Sequence, residues 1–227
     1  MIRKLQKRPR ALGSLSIVLS AMVSAGAALH AFAQPAAPSK DPKALEEANK
    51  HWQAGQGFYN DPTGHKCEEA VIEFGKAYDL SGSVKAARAR GICELELERD
   101  GAAIADFEIY LANPPKDADP SEITQVQSDT QKLKAVVADL TVRTDKPNTR
   151  VTAVRTPAQG LPVTNHYLVT LDGQTLKLHP GNYTFTASAD GMPDISWSAQ
   201  IDNASKNARI LEFEKAKQAA DEAKAKG

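Results

Sequence analysis

Between Pro42 and Leu140 apolar side chains recur at helical spacing, and beyond Leu140 they alternate, so the chain changes period once. In "CEEAVIEFGKAYDL" Ala70, Phe74, Ala77 and Tyr78 fall on one stripe, and in "GAAIADFEIYLANPP" Ala103, Phe107, Tyr110 and Leu111 fall on another. The stripes align at an offset of 33 residues, Ala70 with Ala103, Phe74 with Phe107 and Ala77 with Tyr110. A helix pair that returns at this period points to a helical repeat, because one pair alone cannot bury its apolar side. "PSEITQVQSDTQKLKAVVADL" adds a helix with Ser121 as N-cap and Ile123, Val126, Leu133, Val137 and Leu140 on its buried side, expected to cover the open end of the pair.

In the second half "YTFTASA" turns Tyr183, Phe185, Ala187 and Ala189 inward, and "ISWSAQI" does the same with Ile195, Trp197, Ala199 and Ile201. Asp172-Gly173, between "YLVTL" and "QTLKL", predicts a two-residue hairpin, and Asp190-Gly191 predicts a second turn. With "LTVRT", "RVTAV" and "ARILEF" there are about seven short strands, which predicts a small antiparallel β-sandwich and an α+β fold class. The closing "EKAKQAADEAKAKG" has no broad apolar stripe. It reads as a charged helix held by pairs such as Glu222 with Lys226, or as a disordered tail.

The start of the chain follows neither pattern. "MIRKLQKRPR" holds five basic residues, no charge occurs from Ala11 to Ala33, and Ala31-Phe32-Ala33 supplies a small-x-small site before "QPAAPSKDP". This is the layout of a secretory signal peptide, with cleavage expected after Ala33 and a periplasmic or secreted destination. The uncharged stretch is also just long enough to span a bilayer, so an uncleaved anchor is the competing outcome. No cysteine lies near the site, which argues against a lipid anchor. The expected organisation is a leader at 1–33, a linker at 34–44, a helical domain at 45–140, a β-domain at 141–213 and a charged tail at 214–227.

Charge changes the picture only once the leader is set aside. The whole chain balances 28 basic against 28 acidic residues, but the leader takes five basic residues with it and leaves a net charge of −5. The acid excess sits in the helical half, with 19 acidic and 12 basic residues over 34–140. Nucleic acid, which needs a clustered basic footprint, is disfavoured as a partner.

The helical half resembles the tetratricopeptide repeat. Trp52 and Tyr59 are seven apart on the first helix and are followed by Ala70, Phe74 and Ala77, while Gly91, Ala103, Phe107 and Pro115 fall at matching places in a second repeat. Gln56 stands at the small position of the first repeat, Ala87 and Glu94 at the aromatic positions of the second, and "NDPTGHK" is about two residues longer than the pattern. More loosely, "LKLHPGNYTFTASADGM" resembles bacterial PEGA-type β-modules, without their namesake tetrapeptide. The repeat resemblance implies a concave groove that binds a peptide or protein partner. In that register Lys50, Gln53, Lys85 and Arg88 point into the groove, and three of these four are basic, which suits an acidic segment or a terminal carboxylate.

No catalytic signature is present: no G-x-S-x-G, phosphate loop or H-E-x-x-H occurs. His65-Lys66-Cys67 begins a metal-like spacing that nothing completes, so neither a metal nor another cofactor is expected. The two cysteines, Cys67 and Cys93, fall on helices that are neighbours in the repeat architecture. An oxidising compartment then favours a disulfide between them, closing a loop of about 25 residues and worth on the order of 3 kcal/mol. The expected function is a non-enzymatic envelope adaptor acting through the groove. The alternative is binding of envelope polysaccharide or peptidoglycan by the β-module, with the helices as spacer.

Overall fold

A computed structural model describes residues 41–226. The leader, its cleavage site and most of the 34–44 linker lie outside the described residues.

Among the described residues five helices come first. In α1 (Pro42–Tyr59) the Asp41 carboxylate accepts from the Lys43 N–H at 3.0 Å, and Pro42 takes a first-turn position where its missing N–H is not needed. α2 (Cys67–Ser81) stops at Gly82, whose φ of 65° is the left-handed cap conformation. α3 (Val84–Glu96) and α4 (Asp100–Ala112) follow, and α5 (Pro120–Val136) is capped by Asp119, which accepts from the Ser121 N–H at 2.8 Å. Sequence reading gave that cap to Ser121. Pro120 belongs in the first turn, which moves the cap back to Asp119. α5 also ends sooner than expected, and Leu140 is buried in a strand rather than on the helix. Consecutive helices pack against one another from α1 to α5.

Two buried glycines set the register of these helices. A Cβ on Gly91 of α3 would sit 2.8 Å from the Phe107 ring of α4, and one on Gly55 of α1 would sit 2.6 Å from the Phe74 ring of α2. The residue of α1 packed beneath the next helix's ring is therefore Gly55, while Gln56 is exposed. Gly55 and Gly91 lie 36 residues apart while Phe74 and Phe107 lie 33 apart, so the first pair carries three extra residues between its helices. α3 and α4 are further tied by Arg90, whose Nε donates to Asp106 Oδ2 at 2.7 Å while its guanidinium lies 5.3 Å from the Tyr78 ring centroid.

Seven strands follow: β1 (Ala138–Thr144), β2 (Thr149–Thr156), β3 (Val163–Val169), β4 (Gln174–Leu178), β5 (Gly181–Ser188), β6 (Ile195–Ile201) and β7 (Lys206–Leu211). They form a three-stranded sheet in the order β4-β1-β7 and a four-stranded sheet in the order β3-β2-β5-β6. The inward residues of both sheets, among them Leu140, Val151, Leu176, Phe185 and Leu211, make one core cluster. β1 and β7 run parallel, a departure from the all-antiparallel expectation.

The Asp172-Gly173 turn is tight, with the Gly173 N–H donating to the Thr170 carbonyl at 2.9 Å, yet it does not close a hairpin. β3 pairs with β2 and β4 with β1, so the chain changes sheet there. Among the turn's residues Gly173 alone has positive φ, whereas the hairpin turn read from Asp-Gly needs two such residues. Asp190-Gly191 does join the antiparallel neighbours β5 and β6. The charged tail is helical, α6 (Phe213–Lys226). It is anchored by the fully buried Phe213 and by the Asp145 carboxylate, which accepts from the N–H groups of Phe213 and Glu214 at 3.0 and 3.1 Å.

The corner between α3 and α4 joins the helices to the sheets. Glu98, at a φ of 55°, makes a bidentate ion pair with Arg155 of β2. Arg99 Nε donates to Asn165 Oδ1 of β3 at 2.9 Å, and Asn165 Nδ2 donates to the Leu97 carbonyl at 3.2 Å. Asp100, which has no solvent exposure, lies 3.0 Å from His179 Nδ1 in the β4–β5 turn.

Candidate functional site

A cleft of about 450 Å³ opens between α1 and α3, lined by Leu45, Ala48, Asn49 and Trp52 of α1, Ala77 and Ser81 of α2, and Ser83, Lys85 and Ala86 at the start of α3. The α1 residues follow i, i+3, i+4, i+7 spacing, which puts them on one side of the helix. Three alanines form the floor, and their short side chains leave the space. Trp52 closes one end, its ring 5.3 Å from Phe74 and tilted by 48°. Leu45 stands on the rim at 42% exposure, although it is a large apolar side chain. Lys85 is the cation among the lining residues.

Lys85 donates to Asp117 Oδ2 at 2.9 Å, a contact that holds the Asp117 carboxyl below its ordinary range. Both side chains are more than half exposed, 55% and 75%. An exposed pair of this kind contributes little, so another carboxylate could replace Asp117 at small loss.

Of the four residues expected in the groove, Lys85 lines this cleft. Lys50 is paired with Glu46 one turn away at 2.8 Å and lies off the cleft, as does the exposed Gln53. Their neighbours Asn49 and Trp52 take those places, a shift of one position that follows from Gly55 being the packed residue. Arg88 is half-buried, 3.3 Å from Glu122 of α5 and 5.9 Å from the Tyr110 ring centroid, so it ties α3 to α5 and is not among the residues lining this cleft. Leu45 and Asn49 were missed. The apolar spacing through Leu45, Ala48 and Trp52 was the signal that could have found them.

Cys67 and Cys93 are free thiols in one buried cluster with Ala70 and Phe74. Burial raises both, Cys93 to about 11. Cys67 Sγ donates to Glu96 Oε2 at 3.4 Å, and Glu96 also accepts from His65 Nδ1 at 2.9 Å beneath the stacked ring of Tyr59. Among the described residues no group of three or more His, Cys, Asp or Glu side chains is placed to hold a metal ion, and no helix is long and apolar enough to cross a membrane.

A second surface is the outer side of the four-stranded sheet. Its rows read His166, Thr152, Thr186, Ser196 and then Thr164, Val154, Thr184, Ser198, side by side across β3, β2, β5 and β6. Among the described outward positions of these strands Arg150 is the one fixed charge. Tyr183 and Phe185 are buried on the other side, and Trp197 is stacked on Phe185 at 4.8 Å beneath the Arg209 guanidinium.

No family model matches the chain, and no curated protein matches it. The resemblances to the tetratricopeptide repeat and to PEGA-type modules therefore rest on the residues quoted for them.

Proposed function

We propose that the protein is a non-enzymatic adaptor of the cell envelope, periplasmic or secreted, in which two tetratricopeptide-like helix pairs capture an acidic peptide segment of a partner protein and a β-sandwich serves as the body behind them. The observation that carries this proposal is the α1–α3 cleft, which joins an alanine floor and an exposed Leu45 to a Lys85 whose carboxylate partner is itself exposed. An apolar side chain of the segment occupies the cleft while its carboxylate displaces Asp117 from Lys85, a charge-assisted hydrogen bond traded for an equivalent one. No metal or cofactor takes part.

The test is titration of the folded chain with a library of short acidic peptides, each with one large apolar residue. Lys85→Glu and Leu45→Asp both change exposed rim positions and should leave the melting temperature nearly unchanged. Each should weaken the best peptide at least tenfold, and wild-type affinity should fall as salt rises. Undiminished binding by both variants would remove the cleft as the site.

A second reading is favoured by the outer side of the four-stranded sheet, where Arg150 is the one fixed charge among the described outward positions and the hydroxyl and amide rows suit the hydroxyls of a neutral envelope polysaccharide or of peptidoglycan. Sedimentation with insoluble peptidoglycan that persists at high salt and is lost in Thr184→Lys would support it. Failure of the wild type to sediment would exclude it.

A further inference from the structure

Away from the cleft, and independent of what it binds, lies a group of thiol, carboxylate and imidazole side chains that the adaptor role does not use. Cys67 is the first residue of α2 and Cys93 lies deep in α3, with 5% and 0% exposure. Over Cys67 sits a cap made of surface groups: Glu96 accepts from the thiol at 3.4 Å and from His65 at 2.9 Å, and the Tyr59 ring stacks on His65 with centroids 4.1 Å apart. His65 and Glu96 keep 46% and 40% of their side-chain exposure, so the cap can swing into solvent without opening the core. Cys93 itself has no exposure.

We infer that Cys67 and Cys93 are a guarded dithiol that closes to a disulfide in a fixed order, with Cys67 as the thiol that exchanges with an external low-molecular-weight disulfide and Cys93 as the resolving thiol. The Cys67 thiolate attacks one sulfur of the oxidant, the oxidant's S–S bond breaks, and one oxidant thiol leaves. Cys93 then gives up its proton and attacks Cys67 Sγ. The mixed disulfide breaks, the second oxidant thiol leaves, and the protein has lost two hydrogens while the oxidant has gained them. Glu96 guards this sequence and does not drive it. A carboxylate is far too weak a base to hold the proton of a buried thiol, while its negative charge beside Cys67 disfavours the thiolate. Closing the bond fastens the first turn of α2 to α3 and removes the S–H that Glu96 accepts from. The cap is then held by His65 alone.

The full reduced chain is incubated with oxidised glutathione and followed by intact mass and peptide mapping. The wild type should lose two hydrogens and yield one fragment linking Cys67 to Cys93. Cys93→Ala should stop at a single glutathione adduct on Cys67, and Cys67→Ala should take up none while folded. Glu96→Gln should close several-fold faster at neutral pH, because each unit by which the thiol's pKa falls gives tenfold more thiolate, offset in part by its lower nucleophilicity. His65→Ala, which removes a half-exposed side chain from the cap, should also speed closure by loosening it. A wild type that keeps both thiols, or an adduct on Cys93 in Cys67→Ala, would overturn the fixed order. Closure slowed or unchanged in both Glu96→Gln and His65→Ala would overturn the guard.

Discussion

Gly55 and Gly91 show how one absent atom decides a register. Each sits in the middle of a helix, where glycine is disfavoured by about 1 kcal/mol relative to alanine, and each leaves room for an aromatic ring from the next helix. Gly57, two residues along α1, has nothing within 4 Å of its absent Cβ. The same substitution should therefore change stability in opposite directions. Gly91→Ala drives a methyl to 2.8 Å from Phe107 and 3.0 Å from the Asp106 Cβ; it should lower stability by about 1–3 kcal/mol after repacking. Gly57→Ala should raise it by about 0.5–1 kcal/mol. Urea midpoints of the two variants measured side by side check both signs. A stabilised Gly91→Ala would mean that Phe107 does not pack as described. Sequence alone left this open, because Gly55, Gln56 and Gly57 all sit within a residue of the small position and the Trp52–Tyr59 spacing selected the middle one. Of the residues expected to face a groove, Lys85, in a helix with Gly91 as its single glycine, lines the cleft, whereas Lys50 and Gln53 lie one position off its lining.

Helices and strands themselves were legible because each buries one side against a neighbour, and that leaves a period of 3.6 or 2 in the sequence. Pairing between elements was less so. Asp172-Gly173 fits any tight turn, and which sheet each flanking strand joins is decided by where Val169, Leu176 and Leu178 find a core, which is not local information. The corner "LERDG" reads as solvated charge, yet Glu98, Arg99 and Asp100 all meet partners more than 55 residues away in the β-half. Single-sequence patterns carry no record of such pairings. The Asp100–His179 contact gives this joint a pH dependence. Asp100 has no exposure and one carboxylate oxygen without a hydrogen-bond partner, so it leans on His179, and its hydrogen bond holds His179 protonated above the ordinary histidine range. Glu98 supports that charge and Arg155 opposes it. A raised folded-state pKa means the stabilisation is complete below about 6.5 and is lost as pH rises through the folded value. The melting temperature of the wild type should exceed that of His179→Gln in mildly acidic buffer, and the gap should close toward alkaline pH. A gap that widens with rising pH would reverse the assignment.

At the scale of the whole molecule, the described helices and sheets belong to one compact unit, joined through that corner. A partner held by α1 and α3 is thus held by the entire body. The proposed delivery to the envelope rests on the leader expected from the sequence: intact mass of the exported chain should start at Gln34, and retention of residues 1–33 in the membrane fraction would make the segment an anchor. The central claim is that the α1–α3 cleft is the surface that meets the partner. Position-specific photo-crosslinking tests it most directly, with a photoreactive residue placed singly at Asn49 on the cleft, at Gln53 one turn along α1 but off the cleft, and at Thr184 on the outer side of the four-stranded sheet. Asn49 is predicted to give a discrete crosslinked product that Lys85→Glu abolishes, with none from Gln53 or Thr184. A product from Thr184 and none from Asn49 would contradict the account.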